Sequence, residues 1–285
     1  MSSEPALSSS AIPVAWDVPD HRVEMRHPWT APVALVIPVI NEETKLHAQL
    51  RRLDPVLAAL GGRVQVVLVD GGSTDGTLRP EGLGETVAVV LHKTGPGRLS
   101  AQLRLGMAWA LAQGAEAVLT MDGNGKDGVE GLPRILAALD EGFDMVQGSR
   151  FMAGGEAVRT PKDRERAVKW IHAPAIRLAS GFAWTDTTNG FRGHSARLLR
   201  SPDLAIFRDC FARYNLHYYM SVEAPRAGFR CIEVPVRRAY PEDGSVPSKI
   251  GGWRDKVGIL EELAKACLGV WRPTAAERAR AAEAA

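Results

Sequence analysis

The sequence predicts an α/β fold, a three-layer sandwich whose mostly parallel central sheet carries helices on both faces. Two observations lead to it. Short apolar runs rich in β-branched residues recur along the chain, each too brief for a helix and most of them followed by a polar turn. Between them lie stretches whose leucines return every three or four residues, the spacing of a helix face. Alternation of strand and helix implies a parallel sheet covered on both sides.

Residues 1–30 carry serines, prolines and scattered charge without periodicity, and read as a mobile arm or an irregular cover. VALVIPV (33–39) is the first buried strand, with Pro38 near its end, where a missing N–H costs least. Leu46, Leu50, Leu53, Leu57 and Leu60 mark a helix that Gly61-Gly62 closes. Strand 64–69 ends on Asp70, and strand 86–91 follows. A helix from Leu99 to Gln113 stops at Gly114. Strand 116–121, a helix carrying Val129, Leu132, Leu136 and Leu139, and strand 143–147 complete this half. The second half is less regular. A densely charged stretch from Arg159 leads into a helix over 167–179, then a polar loop over 185–193, a helix near 213–227, a strand over 229–236 and a helix over 253–271. The organisation expected is an arm (1–30), one α/β domain (31–252) and a C-terminal helical extension (253–285).

The bulk numbers exclude several classes. A formal net charge of +2 argues against nucleic acid as a partner. Cys210, Cys231 and Cys267 are odd in number and widely spaced, so they form neither a zinc pattern nor a disulfide framework, and a reducing cytoplasm is expected. The N-terminus has no signal-peptide core, and no apolar stretch approaches the ~20 residues of a membrane span.

Five loops carry chemistry. In VVLVDGGSTDGT (66–77), Asp70 ends a strand and Gly71-Gly72 let the backbone turn and approach a ligand, which is where open α/β sheets bind nucleotides. In MDGNGKDG (121–128), Asp122 and Asn124 are oxygen donors two residues apart, able to hold a hard divalent cation on two phosphates, with Lys126 as a nearby point charge. GSRF (148–151) offers the Arg150 fork to a phosphate. TDTTNGFRG (185–193) gathers Asp186 and Arg192 into one polar loop. VPSKIGG (246–252) sets Ser248 and Lys249 on a Gly/Pro-rich segment suited to a lid.

The ordered series IPVINEE (37–43), VDGGSTDGT, MDGNGKDG, GSRF, TDTTNGFRG, EVPV (233–236) and the late Ser-Lys closely resembles inverting family 2 glycosyltransferases with the GT-A fold, a Rossmann-like architecture. The nearest group is that of dolichol-phosphate-mannose synthase and the polyprenyl-phosphate glycosyltransferases, and the likeness spans about three quarters of the chain. The resemblance implies that Pro38 and Glu42 flank the base and ribose, that Asp70 accepts from the base, and that Gly72 and Gly123 line the nucleotide. Asp122 would hold Mg²⁺ or Mn²⁺ on the diphosphate, with Asn124 where relatives have a second acid. Arg150 and Arg192 would serve the acceptor or the transferring phosphate, and Lys249 the donor phosphates. The chain departs from the pattern at Gly71, where VDDGS has a second acid, and at Asn124, where an amide replaces a carboxylate and weakens cation binding.

An inverting transfer needs a nucleophile in line with a stabilised diphosphate leaving group. A hydroxyl acceptor also needs a general base. Asp186 is the first candidate, with Asp127, His217 and Glu223 behind it. A phosphate acceptor needs none, and Arg150, Arg159, Arg164, Arg166 and Arg192 would receive it. The function expected is transfer of a sugar from a nucleoside-diphosphate sugar to a polyprenyl phosphate. The alternatives are transfer to a hydroxyl of a soluble saccharide or natural product, and a non-catalytic nucleotide-sugar-binding module. A sugar nucleotidyltransferase would need an early NTP-binding loop, which IPVINEE does not resemble. The face of the 253–271 helix that carries Trp253, Val257, Leu260, Leu263, Cys267 and Trp271 is suited to docking on the domain or on a second subunit, and less to peripheral contact with the cytoplasmic membrane face.

Overall fold

The computed structural model describes residues 11–242 and 252–284. Its strands are β1 (His21–Met25), β2 (Val33–Val39), β3 (Val64–Asp70), β4 (Val87–Lys93), β5 (Ala117–Thr120), β6 (Met145–Ser149), β7 (Glu156–Val158), β8 (Arg192–Ser195), β9 (Cys231–Pro235) and β10 (Arg237–Ala239). Eight of them form one sheet in the order β1-β4-β3-β2-β5-β8-β6-β9, and β10 pairs with β7. The β4, β3, β2 and β5 strands run parallel, as do β6 and β9. Only β1 at one edge and β8, inserted between β5 and β6, run against their neighbours in this sheet.

The apolar runs become strands because both sheet faces are covered. All seven residues of β2 are buried. Ala34 and Val36 point into one core, while Val33, Leu35, Ile37 and Val39 point into the other. On the second face lie α1 (Glu43–Ala59), through Leu46, Leu50 and Leu53, and the small α2 (Pro80–Leu83). On the first face lies α3 (Leu99–Ala112), buried from Ser100 to Leu111. The second face is completed by α4 (Leu132–Asp140). A continuous helical run follows as α5 (Lys162–Ala167), one π turn (Val168–His172) and α6 (Ala173–Ser180). After the short α7 (Ala196–Leu199) come α8 (Asn215–Arg226), α9 (Gly252–Cys267) and α10 (Ala275–Ala282).

The N-terminal expectation is corrected from residue 11 onward. The HRVEM segment forms β1 and closes the sheet edge against β4, and Trp16 is buried against Phe207 with ring centroids 4.3 Å apart. An edge strand pairs on one side only and needs no apolar run, so its polar sequence hid it. The C-terminal segment is joined to the same body: Leu263 and Ala266 of α9 enter the core, and Arg280 of α10 pairs with Asp17 at 2.8 Å. The polar loop expected over 185–193 gives way at Arg192 to β8, whose residues Arg192 to His194 are buried between β5 and β6.

Gly106 explains how closely α3 lies on the sheet. A Cβ there would fall 2.5 Å from Cγ1 of Val36 and 2.9 Å from Cγ2 of Val69. Gly106→Val therefore overpacks the helix against β2 and β3 and lowers stability by roughly 1–3 kcal/mol, measured as a reduced urea midpoint.

Candidate functional site

The carboxyl ends of β2, β3, β5 and β6 open into a cleft of about 1020 Å³. This is the edge at which an open α/β sheet receives ligands. Pro38, Val39 and Glu42 line it from β2, Gly71 from β3, Asp122, Gly123, Asn124 and Lys126 from the loop after β5, and Arg150 from the end of β6. Thr187, Thr188 and Gly190 form a further wall, with His217 and Tyr218 of α8 and Arg238 and Tyr240 near β10. Asp70 and Asp122 thus come from the two strands that flank β2 on either side.

Gln102 of α3 holds the base of the cleft. Its amide donates to the carbonyls of Val39 at 2.9 Å and Val69 at 2.7 Å, near the carboxyl ends of β2 and β3. Asp70 has a different place from the one expected. Its carboxylate accepts the Gly72 N–H at 3.1 Å, the Ser73 N–H at 3.0 Å and the Ser73 hydroxyl at 2.6 Å, so it shapes its own turn. Gly71, not Asp70, faces the cleft. Gly72 has φ +96°, which a side chain rarely adopts, and serves the turn. Gly123 is required by space: a Cβ would lie 2.6 Å from Cγ1 of Val39 and 3.1 Å from the Pro38 carbonyl.

The centre of the site is a buried ion triad. Arg238 donates to Asp122 at 2.8 Å and to Asp127 at 2.5 Å. Burial pushes Asp122 up, but the charges of Arg238 and Lys126 outweigh it and hold its carboxyl at about 2. Burial raises the Asp127 carboxyl, against the pull of Arg238. Lys126, whose ammonium lies 4.9 Å from the Tyr240 ring centroid, is lowered to about 8 by burial and by Arg238. Sequence reasoning missed Arg238. The signal was there as a period of two: Val234, Val236, Arg238 and Tyr240 are all buried, so the alternation of extended chain runs on from β9 through β10 into a buried charge.

The loop before β8 is positioned by three arrangements. Asp186 is fully buried and takes Nε and Nη2 of Arg150 at 2.6 and 2.8 Å. Burial raises its carboxyl, but the Arg150 charge and hydrogen bonds prevail and lower it below the usual range. Both its oxygens are occupied, so the expectation of Asp186 as general base is corrected. Arg150 still lines the cleft, with Nη1 outside these bonds. Arg192 is also corrected. It is fully buried and donates to the carbonyls of Asn189, His217 and Thr187 and to the Ser221 hydroxyl, which staples the loop to α8. Burial lowers it to about 10. Glu233 of the EVPV segment accepts the N–H groups of Thr185 and Asp186 at 2.8–2.9 Å. Lys249 and Ser248 lie outside the described residues.

Of the other base candidates, Asp127 is fully buried against Arg238, and Glu223 pairs with Arg226 and Arg272. His217 lines the cleft, but burial and then Arg192 lower its pKa well below the ordinary value. Among the described residues, no group of three or more His, Cys, Asp or Glu side chains is arranged to hold a metal. Asp122, expected as a cation ligand, lines the cleft. Asn124 adds an amide whose nitrogen is 3.3 Å from an Asp122 oxygen.

Residues 34–207 match the family described as Glycosyl transferase family 2. The chain belongs to this family. It is therefore a glycosyltransferase. It is 31% identical to undecaprenyl-phosphate mannosyltransferase of Micrococcus luteus over 77% of this chain and 88% of that protein. It is 29% identical to polyprenol monophosphomannose synthase of Mycolicibacterium smegmatis over 76% and 80%. The GT-A fold of the glycosyltransferase is shared with glucosyl-3-phosphoglycerate synthase of Mycobacterium tuberculosis, crystallised with Mn²⁺, UDP and phosphoglyceric acid. That match has a TM-score of 0.59 at 18% identity over 93% of this chain and 89% of the other.

Removing Arg238 strands a fully buried carboxylate. Arg238→Ala lowers stability by about 3–5 kcal/mol, and Arg238→Lys by less, since one ammonium keeps one of the two bonds. Urea unfolding of both variants at pH 7 is the measurement.

Proposed function

We propose that this glycosyltransferase moves a sugar with inversion from a nucleoside-diphosphate sugar to a polyprenyl phosphate. The names of the two mannosyl-transferring relatives support the acceptor class. The observation that carries the reading is the state of the carboxylates. Asp186 and Asp127 are tied to arginines, Glu223 lies outside the cleft lining, and His217 is a weak base. A hydroxyl would find none of these four ready to take its proton. A phosphate arrives already ionised and needs none.

The donor's base and ribose would lie along Pro38, Glu42 and Gly71, and its diphosphate near Asp122, Lys126 and Arg150. A phosphate oxygen of the acceptor attacks the anomeric carbon as the bond from that carbon to the diphosphate oxygen breaks, and the nucleoside diphosphate leaves. Lys126, Arg150 and Arg164 supply positive charge as the leaving group gains its negative charge. A Mg²⁺ or Mn²⁺ ion would be held by one protein carboxylate, Asp122, and would leave most of its shell to phosphates and water, because the Asn124 amide turns its nitrogen toward Asp122 at 3.3 Å while its oxygen accepts the Lys126 N–H at 3.3 Å. Such an ion, when bound, neutralises charge on the diphosphate.

Two outcomes follow from so small a protein ligand set. Mn²⁺ alone leaves the melting temperature unchanged, whereas Mn²⁺ with the matching nucleoside diphosphate raises it, in a thermal-shift screen of UDP, GDP and dTDP. No shift with any nucleotide would overturn the donor assignment. Asp122→Asn keeps the fold and lowers kcat/KM by roughly 10²–10³-fold, read from nucleoside diphosphate release in the presence of a polyprenyl phosphate. Release that depends instead on a soluble saccharide would replace the proposed acceptor.

The pH profile separates the acceptor classes as well. kcat/KM for a phosphate acceptor rises through about pH 6, where a phosphate monoester takes its second charge. It falls above about 8, because Lys126 is charged below its folded-state pKa and neutral above it. An ascending limb set by a carboxylate near pH 4, measured by steady-state rates, would contradict this.

A further inference from the structure

The cleft's outer rim has a surface that nothing so far explains. On the helical run 162–180, Trp170 is 77% exposed and Leu178 is 90% exposed, and Pro174 lies midway between them at steps of four residues. Ile171 is exposed too and also lines the cleft. From the neighbouring α9, Val257 and Leu260 are exposed, and Leu260 again lines the cleft. Lys256 of α9 meets Asp163 of α5 at 3.7 Å, so the two helices stand together at the mouth. Large apolar side chains at these exposures are out of place on a surface that meets only water.

The charge on the helical run is mostly basic. Residues 162–178 hold five Lys and Arg (Lys162, Arg164, Arg166, Lys169 and Arg177) against two acids, Asp163 and Glu165. We propose that this surface, centred on Trp170 and Leu178 and edged by Val257 of α9, rests on an anionic lipid bilayer and holds the cleft mouth against it. Exposed tryptophan and leucine enter the headgroup boundary, while lysine and arginine stems lie along it with their charges on anionic headgroups. A second copy of the chain fits less well, because a symmetric contact would set this basic patch against itself. The inference rests on the polyprenyl phosphate reading above and deepens it. A substrate with a charged head and a long apolar tail needs a route that is apolar at the mouth and basic within. Of the lining residues, Ile171 and Leu260 are exposed, Arg164 is half-buried, and Arg150 and Lys126 are buried.

Vesicle flotation without any polyprenyl phosphate tests the surface by itself. The full chain is expected to float with phosphatidylcholine vesicles containing phosphatidylglycerol, and more weakly with phosphatidylcholine alone. The double variant Trp170→Ala, Leu178→Ser should lose roughly tenfold or more in partitioning. It should keep full transfer to a water-soluble short-chain prenyl phosphate while losing transfer to long-chain polyprenyl phosphate in vesicles. Absence of flotation by the unaltered chain, equal flotation by the variant, or a dimer in solution that the variant abolishes would each overturn the proposal. Failure of every prenyl phosphate as acceptor would instead remove the functional reading and leave the flotation result standing.

Discussion

A single guanidinium holds the active cleft together. Arg238 lies between Asp122, which faces the cleft, and Asp127, which does not, and it bonds to both. Without it two carboxylates would be crowded into a buried space, each raising the other's affinity for a proton. With it, Asp122 stays ionised and presents a charged oxygen to the cleft. The same residue ties the loop after β5 to β10, which belongs to the separate two-stranded sheet. Its Nη1 also comes within 3.3 Å of Asn189, so three segments distant in the chain converge on one side chain.

Arginine serves a similar purpose in the loop before β8. Arg192 takes backbone carbonyls as partners, and Arg150 takes Asp186. Buried charges of this kind are retained when removing one leaves the other uncompensated. The loop they define brings Gly190 so near Asp122 that a Cβ would fall 2.5 Å from a carboxylate oxygen. The polar residues of TDTTNGFRG are thus divided. Thr187 and Thr188 reach the cleft, whereas Asp186, Asn189 and Arg192 build the wall.

The location of the site was legible in the sequence, but the division of labour within it was only partly so. Apolar runs ending on Asp70 and Asp122 pointed correctly to one edge of the sheet, because burial on both faces leaves a plain local signature. The partners of Asp186 and Arg192 are set by tertiary contacts 36 residues away in the first case and up to 29 in the second. No local pattern distinguishes an arginine that awaits a phosphate from one already committed to protein oxygens. Adjacent Arg237 and Arg238 illustrate the limit. The first pairs with Glu156 at the surface and the second governs the cleft, and only strand alternation separates them. The β1 strand escaped notice for the opposite reason, since an edge needs little hydrophobicity.

The reversal of β8 has a topological consequence. Parallel strands deliver only departing segments to their carboxyl edge. A strand inserted head-down between two of them delivers an arriving segment to that same edge, and here the segment is 185–191. The cleft is consequently bounded by chain leaving the sheet on one side and chain entering it on the other. Alterations confined to the entering segment would reshape that wall of the cleft while the opposite side, built from the ends of β2 and β3, kept its form.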